Sequence, residues 1–218
     1  MSTFPNSPRL LKGGIVLLDA ESGSVRRIIS LQYNPDTLTR TLQVQGAGGE
    51  GGDRAEALRL KGPPVETIKL EAEIDATDQL EFPDQNPNAV TAGIQPQLAA
   101  LEIIVYPASG QLQSNNALAQ AGTLEIIPAQ APLTVFVWSK NRVIPVRLTE
   151  FSITEEAFDP ALNPIRAKVS LGMRVLSVND VGFDHKAGSL FMSYQQQKEQ
   201  LATLHKPGAL ANLGVSSL

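Results

Sequence analysis

The sequence predicts a mainly β fold of the α+β class with one or two flanking helices, and three observations predict it. Ile165–Val175 alternates along its whole length. Ile165, Ala167, Val169, Leu171, Met173 and Val175 share one face, and Arg166, Lys168, Ser170 and Arg174 share the other. Glu66–Ile74 repeats the pattern, with Ile68, Leu70, Ala72 and Ile74 set against Thr67, Lys69, Glu71 and Glu73. Helical spacing is confined to two stretches, Asn88–Val105 and Lys186–His205.

In chain order, Ile15–Leu18 and Arg27–Tyr33 come first. They flank the turn-forming Glu21-Ser22-Gly23-Ser24 and read as a hairpin. Asn34-Pro35-Asp36 breaks the second strand, because Pro35 fixes its own φ and biases Asn34 away from helix. Leu38–Val44 resumes as a strand. Gly46–Gly52 and Gly62-Pro63-Pro64 bracket a Gly/Pro-rich insertion over residues 46–64, expected to be mobile in the isolated subunit and to order on assembly. Asn86-Pro87-Asn88 opens the first helix, within which Pro96 marks a split or kink. Leu133–Trp138 and Arg142–Leu148 form a hairpin about Ser139-Lys140-Asn141, with Pro145 suggesting an edge position, and Glu150–Phe158 reads as the next strand. The predicted organisation is a β domain over 1–180, containing the insertion at 46–64 and the helix at 88–105, then a C-terminal helix and tail over 181–218.

Composition narrows the function. Apolar residues make up 42% of the 218 residues, enough for a real core, while charged residues make up only 18%. About a quarter is usual for a soluble domain, so more of this surface is neutral and suited to contacts. The net charge is −4 and no Lys/Arg cluster marks a phosphate footprint, so nucleic acid is not an expected partner. The chain contains no cysteine, which removes disulfides and thiolate metal sites and fits a reducing compartment. No apolar run approaches the ~18 residues that span a bilayer. The Gly13–Ala20 run stops at Asp19, so a cytosolic product without membrane insertion is expected.

Catalytic chemistry is poorly provided for. His185 and His205 are the two histidines, and without cysteine they offer little for a nucleophilic triad; both read as surface residues. Gly46–Gly52 is followed by Asp53-Arg54-Ala55-Glu56 and not by Lys-Ser/Thr, so it reads as a loop and not a phosphate cradle. Asp75, Asp78, Glu81 and Asp84 lack calcium-loop spacing and read as a solvated acidic segment. Trp138, the single tryptophan, reads as a hairpin anchor, with an interface anchor as the sharper alternative. The expectation is a non-enzyme with no cofactor and no metal.

Two segments carry a family resemblance. Leu10-Leu11-Lys12-Gly13-Gly14-Ile15 through Leu31-Gln32-Tyr33-Asn34-Pro35-Asp36 is similar to the opening hairpin and aromatic-Asn-Pro step of contractile-injection-system tube proteins. Thr134–Trp138 through Phe151–Phe158, then Asp159-Pro160-Ala161-Leu162-Asn163-Pro164-Ile165-Arg166-Ala167, resembles that family's Trp, Phe-Asp, turn and Pro-x-Arg-Ala order. Ser139 stands where the family often has Gly, and Pro160–Asn163 replaces its Gly turn. Many members carry a LysM module, which the residues after His205 are too few to form, so a member without it is expected.

The resemblance implies a phage tail-tube-like β-barrel or sandwich acting as a structural adaptor that joins spike hub to inner tube. Such a protein would work as a homo-hexamer within a particle assembled in the bacterial cytoplasm. It singles out Asn34, Pro35, Trp138, Phe158, Asp159, Pro164 and Arg166 as assembly candidates, with the loops at Asn34-Pro35 and Asp159–Pro164 supplying separate stacking faces. The reading from another class is a monomeric ligand- or carbohydrate-binding β-sandwich.

Overall fold

The computed structural model describes residues 10–46, 59–122, 131–208, 210–215 and 217. Among them seven strands form one antiparallel sheet: β1 (Gly14–Leu18), β2 (Val25–Ser30), β3 (Leu38–Gln43), β4 (Val65–Asp75), β5 (Leu133–Ser139), β6 (Arg142–Phe158) and β7 (Pro164–Val175), in the order β2-β1-β5-β6-β7-β4-β3. The two outermost strands are consecutive in the chain. The residues joining them run past the end of β4, where Gln32 takes the place of a strand residue. Its Nε2 donates to Asp75 O at 2.6 Å, and its Oε1 accepts from Asp75 N at 3.0 Å. The sheet therefore curls into an incomplete barrel closed at this corner, and residues of β1, β4, β5, β6 and β7 meet inside it.

That interior is the core. Ile15 and Leu17 of β1, Phe136 of β5, Ile144 and Val146 of β6, Val169 and Met173 of β7, and Ile68 and Leu70 of β4 form one buried cluster. The alternation expected of β7 and β4 is present. Ala167, Val169, Leu171, Met173 and Val175 are buried, while Arg166 and Lys168 face water. Five α-helices accompany the sheet among the described residues: α1 (Thr77–Leu80), α2 (Pro87–Ala92), α3 (Gln95–Glu102), α4 (Ser109–Gln120) and α5 (Lys186–Thr203). Leu98 and Leu101 of α3, with Ile94 and Ile104 flanking it, enter the core from the β6–β7 hairpin side; Phe191 and Tyr194 enter from α5. The N-terminal turns of α5 cover the outer sheet face, where Ala187 joins Leu18, Leu133 and Val135 in a second cluster.

Three expectations change in physical detail. The single helix over 88–105 is two helices, broken at Gly93. Gly93 adopts φ +55°, and a Cβ there would collide with the carbonyl oxygen of Pro164. Pro96 then sits in the first turn of α3, where its missing N–H costs no helical bond. Glu150–Phe158 is not a separate strand; it continues β6 through a bulge between Leu148 and Glu150.

Pro145 is not on an edge strand, since β6 lies between β5 and β7 and Pro145 is fully buried. Its carbonyl accepts from Leu176 N at 2.9 Å, so its nitrogen faces the β7 side, where the ladder has ended beyond the Val146–Val175 pair. The proline forgoes one donor at the very end of the ladder and interrupts no internal pairing, which is why it is tolerated. The insertion is described only at its base. Lys61 N donates to Gln45 O at 2.9 Å, and Gly46 bridges Leu60. The expectation for its interior, residues 47–58, lies outside the described residues.

Candidate assembly interface

The corner is organised by Asn34. Its Oδ1 accepts from Gly13 N at 2.9 Å and its Nδ2 donates to Leu11 O at 2.8 Å, so the amide pairs with the strand leading into β1 as a peptide group would. Pro35, half-buried beside it, ends the turn before β3. At the tip of the β6–β7 hairpin Asp159 plays the matching part. Its carboxylate accepts from Ala161 N, Asn163 N and Asn163 Nδ2, each at 2.8 Å. Those donors, the Asn163 side chain foremost, hold its carboxyl below the usual range. Leu162 takes the left-handed φ of +64° in this turn.

The corner reaches the β6–β7 hairpin through the end of β4. Gln32 holds Asp75, Asp75 pairs in register with Arg166, and Arg166 Nε lies 3.3 Å from Glu156 Oε2. Pro164 is buried, and its carbonyl accepts from Ile94 N at 2.9 Å. Asn34 and Pro35 lie beside the strand leading into β1, while Asp159, Pro164 and Arg166 gather at one pole of the barrel, the β6–β7 tip. Phe158 and Leu162 project from this pole, 51% and 78% exposed. Trp138 lies beside the strand that Asn34 holds. It stacks on Phe136 with ring centroids 5.9 Å apart and lies over Gly13, where a Cβ would come within 2.7 Å of the indole.

The sheet also presents open backbone. The β5–β6 ladder stops at Thr134–Val146, and among the described residues no strand pairs with β6 on that side from Arg147 to Phe158. The outer edges of β2 and β3 have no strand partner among the described residues either. Beside the β6 edge runs a groove between Leu148–Phe151 and the residues Glu102, Val105 and Tyr106.

A charged cluster at the side of α5 was missed from the sequence. Glu66 lies in phase with Ile68 and Leu70 on the core face of β4 and is 3% exposed. Arg40 Nε of β3 donates to its Oε1 at 2.7 Å. The Tyr194 hydroxyl accepts from Arg40 Nη2 at 2.8 Å and donates to Glu66 Oε1 at 3.1 Å. Lys198 Nζ is 3.7 Å from Glu66 Oε2 and 4.1 Å from the Tyr194 ring centre. Burial and the adjacent Glu66 charge push the Tyr194 phenol up to about 12. One signal was available: a glutamate at an apolar phase of an otherwise regular strand requires a cationic partner. Among the described residues no group of His, Asp or Glu side chains is arranged to hold a metal, and no helix is long and apolar enough to cross a membrane.

No protein family and no curated protein matches the chain. Among solved structures it has a likeness to a chain from the tail of an empty GTA particle refined with C6 symmetry. That likeness is 11% in identity, covers 75% of this chain and 90% of the other, and has a TM-score of 0.28, too slight to bear on function.

Proposed function

We propose that this chain is a structural, non-enzymatic subunit of a contractile injection particle, a tube–baseplate adaptor that forms a ring and joins spike hub to inner tube. The observation that supports it best is that, among the described residues, no strand pairs with the edge of β6 from Arg147 to Phe158 or with the outer edge of β3. Unpaired strand edges invite pairing with another chain. Two different edges on one subunit make head-to-tail contacts, which close into a ring when the rotation between copies allows. The particle would be assembled in the bacterial cytoplasm. The sixfold number and the particle class come from the resemblance of the Asn34-Pro35 and Asp159–Arg166 segments; the edges supply the means of assembly.

Light scattering on the purified chain tests ring formation, and cryo-microscopy of purified particles tests its place, with six copies in one layer near the baseplate as the expected result. Absence from particles, or a single copy, overturns the adaptor reading. A monomeric ligand-binding domain is the second reading. It is favoured by a largely apolar cavity of ≈ 460 Å³ lined by Ile104, Leu133, Val146, Leu176, Val181 and His185. A monomeric mass at all concentrations would select it.

A further inference from the structure

Beside α5 lies a cavity of ≈ 490 Å³ whose wall includes Arg40, Trp138, Arg142, Tyr194, Lys198 and Leu201. Its charge is unbalanced. Arg40 and Lys198 share the one carboxylate of Glu66, and Arg142 makes no ion pair or hydrogen bond among the described residues. Burial holds the Lys198 ammonium below its usual range, with Glu66 opposing and Arg40 adding to the effect. Three cations around one carboxylate leave a net charge of +2 for a further anion, and Trp138 and Leu201 offer surface for an apolar companion.

The chain carries a matching group at a distance. Arg40 pairs with Ile68, and from Ile68 the strand β4 runs to Asp75, about 23 Å at the usual rise per residue. There α1 leads into Glu81-Phe82-Pro83-Asp84. Phe82 is 53% exposed, Asp78, Glu81 and Asp84 are all exposed, and none of these acids is ion-paired among the described residues. The knob is fixed in place. Ala76 N donates to Ile165 O at 2.9 Å, Phe82 N to Gln79 O at 3.2 Å, and Asn86 Nδ2 to Phe82 O at 3.0 Å. It cannot fold back into its own cavity without breaking these bonds.

We propose that the cavity of one copy receives the Glu81–Asp84 knob of a second copy, Phe82 lying against Trp138 and Leu201 while Glu81 and Asp84 face Arg142 and Lys198. The contact is head-to-tail, so it adds a side-chain component to the ring proposed above and rests on that reading for its biological setting. Opposed charges of this kind steer association and fix register more than they add affinity.

Trp138, the only tryptophan, reports on the cavity directly. A peptide spanning Thr77–Gln85 is titrated into the full-length chain to about 1 mM while tryptophan emission is recorded. A saturable change is expected, weakened at least about tenfold by Phe82→Ala in the peptide, lost with Glu81→Lys and Asp84→Lys together, and weakened by added salt. The peptide variants are read on the unaltered protein, so no folding defect enters. Arg142→Ala in the protein should abolish the response as well. No emission change, or equal binding of the charge-reversed peptide, overturns the inference. Light scattering then separates the two readings: a ring that forms while the peptide fails to bind removes this contact alone, and a monomer that still binds the peptide removes the ring alone.

Discussion

Buried charge is costly unless every partner is in place, and the Glu66 cluster is the place in this molecule where single residues matter most. Its carboxylate is closed off from water and satisfied by Arg40, Tyr194 and Lys198 from β3 and α5. Tyr194→Phe removes the hydroxyl that accepts from Arg40 and donates to Glu66. A loss of about 1–3 kcal/mol is expected, read as a lower midpoint in urea with an unchanged slope. The same hydroxyl gives a pH signature. Its native pKa lies above the unfolded value of 10.0, at about 12. The native state therefore holds the proton more tightly, and the stability this confers is complete below pH 10 and is lost as the pH rises toward 12. Phenolate absorbance present in wild type and missing from Tyr194→Phe should appear only near the top of that range. Its appearance near pH 10 would show that the cluster is open to water.

At the scale of elements, the most regular strand is also the most tightly held. Val169 is fully buried between Ile153 of β6 and Ala72 of β4. Val169→Asp places an unpaired carboxylate there, and a loss of several kcal/mol, roughly 3–5, is expected in the melting temperature and denaturant midpoint. Gly93→Ala should cost about 1–3 kcal/mol, because the alanine meets both an unfavourable φ and the Pro164 carbonyl. An unchanged midpoint for Gly93→Ala would mean that the α2–α3 break is not fixed by this glycine.

These two positions mark how far the sequence could be read. Val169 belongs to β7, a strand of period two whose faces follow from the residues alone; β4 was legible for the same reason, β5 as an apolar run beside a turn, and α5 by its helical spacing. Gly93 lies within a run of helical spacing. The break it makes depends on a carbonyl from the β6–β7 tip, far away in the chain, which periodicity cannot reveal. Pro145 failed as an edge signal likewise, since where the neighbouring ladder ends is a tertiary fact. Of the candidate site, Asn34 and Asp159 are named by the sequence, but the closure of the corner by Gln32 on Asp75 is not. Glu66 was visible only as a phase error.

For the whole molecule, open edges and an exposed apolar pole make separate demands. In the proposed ring the edges of β6 and β3 would join copies sideways, and the pole at the β6–β7 tip would meet another layer. Phe158 and Leu162 project there in a turn fixed by Asp159, and Leu162 holds its left-handed conformation although it is 78% exposed and packs against little. A strained, apolar, solvent-facing turn is retained at some cost, of order 1–3 kcal/mol for such a conformation, and a docking surface is one use for it. The double change Phe158→Lys with Leu162→Lys tests that use. Both side chains are largely out of the core, so the melting temperature should move little, within about 0.5 kcal/mol in stability. The discrete oligomer seen by light scattering should persist, since neither change touches the backbone edge. Particles assembled with the variant should lack the layer that stacks on this pole, visible in micrographs as tubes separated from baseplates. Intact particles carrying the variant would show that the pole is not the stacking face, and a variant that loses its ring would show that sideways and axial contacts are not separable in this subunit.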